Sequence, residues 1–97
     1  MARYVVLVDW TEQGVRAVKD TVDRFEAANA RVEQLGARFV EQYWTLGSHD
    51  SVAVIEAPDD QTVAAALLAV AGAGSIRTTT LRAFTADEMR DVVSKLG

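Results

Sequence analysis

The sequence predicts an α+β fold, four strands and two long helices in the order βαββαβ, closed by a terminal helix. Three observations carry that expectation. Residues 4–8 and 52–55 are unbroken apolar, β-branched runs of strand length, patterned for burial on both faces. Residues 20–35 and 59–71 repeat apolar side chains at spacings of three and four, the period of an amphipathic helix. Threonine-rich residues 76–84 read as an edge strand, and Thr85-Ala86-Asp87-Glu88 as a capping box.

Taken in order, Tyr4-Val5-Val6-Leu7-Val8 is the first strand, and Asp9-Trp10-Thr11 opens a polar turn. A short helical segment over residues 12–19 follows, weakened by Gly14. Asp20 is the expected N-cap of the first long helix, which carries Phe25, Ala28, Val32 and Leu35 on one face and ends at Gly36. In the second strand, residues 37–46, Phe39, Glu41 and Tyr43 alternate with Val40, Gln42 and Trp44. Gly47-Ser48-His49-Asp50 turns the chain into the third strand, so the two strands form a hairpin. Pro58-Asp59-Asp60 starts a helix with Val63, Ala66, Leu67 and Val70 inward, and Gly72 and Gly74 end it. The terminal helix sets Met89, Val92, Val93 and Leu96 on one side.

Right-handed crossovers in this order give a ferredoxin-like split βαβ arrangement, both long helices on one face of a four-stranded antiparallel sheet. The first and third strands are then central, and they are the two apolar runs. Their second face is left without helices. Each Val, Leu or Ile exposed there forfeits roughly 1.5–3 kcal/mol. A second copy stacked sheet to sheet is the expected cover, making a dimeric α/β barrel.

Composition narrows the function. Residues 1–97 fit a single domain, 49% hydrophobic and 25% charged. The absence of cysteine removes disulfides, thiolate metal sites and cysteine nucleophiles. The first apolar stretch is too short for a membrane helix and has no cleavage pattern after it, so the expectation is a cytoplasmic protein with no membrane partner. A net charge of −4 with ten scattered basic residues argues against nucleic acid. No phosphate loop, paired zinc-ligand motif or nucleophile elbow occurs, and the expectation is no cofactor and no metal.

Several segments carry a family resemblance. Residues 4–14 with Val18-Lys19-Asp20, then Glu56-Ala57-Pro58-Asp59-Asp60, then Ile76-Arg77-Thr78-Thr79-Thr80-Leu81-Arg82-Ala83-Phe84-Thr85 resemble the GYD-domain family. Its Gly-x-Tyr-Asp motif stands here as Gly47-Ser48-His49-Asp50, with histidine in place of tyrosine. The resemblance implies the dimeric α/β-barrel architecture. It implies no particular activity, because the wider group spans cofactor-free enzymes, haem-degrading enzymes and ligand-sensing modules.

The candidate catalytic residues are His49, the one histidine, as acid/base and Asp50 as its neighbour. The alternative is a solvated polar turn in which Asp50 bonds local backbone N–H groups. Asp9, Trp10 and Thr11 are candidate ligand-binding residues at the end of the first strand, or else a core cap and an N-cap. Arg77 and Thr79 share a face of the fourth strand, as polar anchors for a ligand or as edge protection. Tyr43 and Trp44 fall on opposite faces, one for a pocket and one for a contact between copies. Together these predict a small-molecule-binding homodimer, with cofactor-free proton transfer or cyclisation as its chemistry if it is catalytic. The rival is a non-catalytic binding or assembly module.

Overall fold

The computed structural model describes residues Met1–Gly97. Its elements are β1 (Ala2–Trp10), α1 (Glu12–Arg16) followed by a 3-10 turn (Val18–Asp20), α2 (Thr21–Gln34), β2 (Arg38–Trp44), β3 (Ser51–Ala57), α3 (Asp60–Ala71), β4 (Ile76–Ala83) and α4 (Ala86–Ser94). The sheet is antiparallel, in the order β2-β3-β1-β4. The apolar runs take the two central places and the threonine-rich strand an edge, the ferredoxin-like arrangement expected from the sequence.

Period-two alternation in the central strands decides what is buried. Tyr4, Val6 and Val8 of β1, with Ala53, Ile55 and Ala57 of β3, join Val32 of α2 and Val63, Ala66 and Leu67 of α3 in one core. The intervening Val5, Leu7, Val52 and Val54 are only half-buried. Within one chain, then, the expected burial on both faces is met on one face. The other has no helix over it.

Strand β2 departs from simple alternation. Phe39 pairs with Ile55, but Glu41 pairs with Val54, a register shift across Val40. Two residues of β2 there oppose one of β3, so the faces swap at the bulge. Phe39, Gln42 and Trp44 consequently face the helices, while Arg38, Glu41 and Tyr43 share the open face; the sequence pattern alone put Phe39 with Glu41.

Backbone chemistry explains the helix ends. Gly36, at φ +96°, lets the N–H of Ala37 reach the Val32 carbonyl and its own N–H reach that of Glu33. This is the Schellman closure of α2. The Asp59 carboxylate accepts the N–H of Thr62 at 2.8 Å and starts α3. Thr85 and Glu88 close the expected capping box on α4. Asp20 occupies the N-cap position of α2 without a side-chain bond, because that helix continues directly from the 3-10 turn.

The chain is under-buried for its size. It exposes 6322 Å² where a compact 10.5 kDa chain would expose about 5,400 Å², a surplus of about 900 Å². Its radius of gyration is 14.6 Å against about 12.5 Å for a compact domain of this length. Helix α4 and the turn after it contribute to the exposed area, since Met89, Val92, Val93 and Leu96 are all exposed. No helix is long and apolar enough to cross a membrane.

Candidate functional site

Between α2, α3 and the helix-facing side of the sheet lies a cavity of about 320 Å³. Its aromatic wall is held in place. The Phe25 ring lies 5.3 Å from Phe39 and 6.0 Å edge-on from Trp44, whose indole N–H donates to the Thr21 hydroxyl at 3.1 Å. Trp10 closes one end, where β1 passes into α1. The charged residues on the wall are Arg24 and Arg31, one turn to either side of Ala28 on α2. The Arg24 guanidinium donates to the carbonyls of Ala17 and Gly14, the latter at 3.4 Å, so its charge is fixed at the rim.

The second feature is the open sheet face. Ladder register sets Val5 beside Val54 and Leu81, and Leu7 beside Val52 and Thr79. Tyr43 continues the row on β2, opposite Val52. This apolar centre has a charged border. At one end Glu56 stands between Arg3 and Arg38, at 3.4 and 3.8 Å. At the other end Asp9 is the ladder partner of Arg77 and lies 3.1 Å from the His49 ring.

The candidate residues are thereby divided between two places. Trp10 lines the cavity. Asp9, Arg77 and Thr79 lie on the opposite face of the sheet by register, and the cavity wall includes neither His49 nor Asp50. The His49 Nδ1 meets Asp9 Oδ1, not Asp50. The Asp50 carboxylate instead accepts the backbone N–H of Trp10 at 2.8 Å, and its own N–H donates to the Val8 carbonyl. Asp50 therefore ties the hairpin turn to the end of β1. Thr11 is the N-cap of α1, accepting the N–H of Gly14 at 3.2 Å and donating to the Gly74 carbonyl at 2.6 Å.

Sequence reasoning missed the Asp9–His49 pair, because the two are 40 positions apart and only the sheet brings them together. It also passed over Arg24 and Arg31. Their spacing with Ala28, four and then three, was the available signal that they share one helix stripe. On the same side of the sheet, the Tyr4 hydroxyl donates to the Asp60 carboxylate. That bond and burial hold its proton above the usual phenol range. It serves the core, anchoring α3 to β1.

Known proteins share this architecture. The chain is 36% identical over 97 residues to a Thermus thermophilus protein named glutamine synthetase and cystathionine beta-lyase binding protein, covering 99% of each chain. It superimposes on the crystal structure of TTHA0845, also from Thermus thermophilus, with a TM-score of 0.58 at 23% identity, over 89% of this chain and 96% of that one. The latter likeness is one of fold. The GYD domain profile matches residues 4–93, from the first central strand into α4, with Gly47-Ser48-His49-Asp50 inside that span. This chain belongs to the GYD domain family.

Proposed function

We propose that this protein is a non-catalytic protein-binding module that works as a homodimer, two sheets stacked face to face as a dimeric α/β barrel. The surplus surface carries the reading. A stable interface takes roughly 800 Å² from each partner, and this chain exposes about 900 Å² more than its mass requires, shared between the apolar sheet face and α4. A second copy is the occupant that the border suits. Each end of the face carries both signs, so an isologous pairing can set acidic groups of one copy against basic groups of the other.

Binding is favoured over chemistry by the position of His49. Acid/base catalysis needs the imidazole within hydrogen-bond reach of a held substrate, and this one sits against Asp9 on the sheet border, off the cavity wall. The name of the Thermus relative supplies the kind of client. We extend that role to this chain, with glutamine synthetase and cystathionine beta-lyase as clients and the apolar side of α4 as the contact, a helix face suited to a groove. The module would share the cytoplasm with them.

Sedimentation of the purified protein with each of these two enzymes from its own organism tests the reading. Co-sedimentation with at least one is expected, lost in Val92→Asp/Leu96→Asp and kept in His49→Ala. Independent sedimentation of the protein and both enzymes at tens of micromolar would overturn it.

A further inference from the structure

We infer that the cavity between α2, α3 and the sheet binds a small carboxylate with a flat apolar body, such as an arylalkanoate. The chain carries fourteen acidic residues against ten basic ones, yet the cavity wall holds two arginines and no Asp or Glu. In a chain of net charge −4 that is the reverse of the average surface. The wall therefore favours an anion against the net charge of the chain.

The remaining wall fits the rest of such a ligand. Phe25, Phe39 and Trp44 form an interlocked aromatic side, suited to stacking or edge contact with a ring. A volume of about 320 Å³ is at the small end of ligand pockets. The polar counterpart is Ser51 on β3, the one buried polar residue of the chain at 4% exposure. Its hydroxyl enters none of the fold's side-chain hydrogen bonds and opens onto the cavity. Accessible from the cavity, it is placed to meet a ligand oxygen. Arg24, already fixed by the Ala17 and Gly14 carbonyls, offers its charge without ordering a free side chain.

This site is separate from the proposed dimer face, which lies across the sheet. Both tryptophans of the chain, Trp10 and Trp44, line the cavity, so intrinsic fluorescence reports occupancy without a label. The test is titration of the full chain with 3-phenylpropanoate and, in parallel, with the neutral 3-phenylpropanamide. The expected result is a saturable change with the acid at least tenfold tighter than the amide. Arg31→Gln should weaken the acid severalfold and leave the amide unchanged, and Arg24→Gln/Arg31→Gln should erase the preference. Should that pair of changes unfold the chain by circular dichroism, added salt on the wild type replaces it and should erode the preference. No saturable change with either compound, equal affinities, or a preference that survives removal of the charges would each overturn the inference.

Discussion

At Gly14 a Cβ would stand 2.1 Å from the Ser75 carbonyl oxygen and 3.2 Å from the Trp10 Cβ. Both neighbours are held, the carbonyl by the Thr11 N–H at 3.1 Å and the Trp10 backbone by the Asp50 carboxylate. The residue read from the sequence as a weak point of α1 is therefore what allows α1 to meet the loop before β4. Gly14→Ala should lower stability by about 1–3 kcal/mol, the usual cost of overpacking against backbone, measured by urea unfolding. Asp50 invites a companion experiment. Losing its bond to the Trp10 N–H in Asp50→Ala should cost about 1.5–3 kcal/mol. Asp50→Asn keeps an acceptor and should recover at least half. Equal loss in both would assign the effect to charge rather than to this bond.

Among the elements, the helix starts carry the pH dependence. The Thr62 side chain and N–H hold the Asp59 carboxyl below its ordinary range, and the Thr85 N–H does the same for Glu88. Because both folded values lie below the unfolded ones, each cap contributes fully above the ordinary carboxylate range, about pH 4. The contribution disappears as pH falls through the lowered folded values. Helix α4, whose apolar side is exposed, should therefore lose ellipticity on acidification before the sheet unfolds. At neutral pH, Thr85→Ala should cost the helix about 0.5–2 kcal/mol and lower far-UV ellipticity, with Thr85→Ser close to wild type. An unchanged spectrum in Thr85→Ala would show that packing, not the cap, holds α4. Element order was legible because local chemistry sets it: the β-branched runs, the Gly36 closure and the Thr85–Glu88 box are all contained in short windows of sequence. The site was less legible because it depends on register. The bulge at Val40 reassigns Phe39 to the helix side, and the Asp9–His49 pair arises only once β1 and the hairpin turn are neighbours. Neither is encoded in any single window.

For the whole molecule, the governing fact is a sheet whose two long helices lie on one side only. Helices α2 and α3 and the core of Tyr4, Val6, Ile55 and Val32 leave Val5, Leu7, Val52, Val54 and Leu81 on the side away from them. A slab of 52 × 31 × 17 Å is thin for a chain of this length, and doubling it across the open face would give the usual two-sided burial of a sheet. The particle mass in solution tests this account most directly. Light scattering of the purified chain at micromolar concentration should give about twice the 10.5 kDa of one chain. Leu7→Lys/Leu81→Lys should halve that mass and leave the fold intact by circular dichroism. A wild-type mass of 10.5 kDa, or a dimer indifferent to charges at both positions, would contradict it.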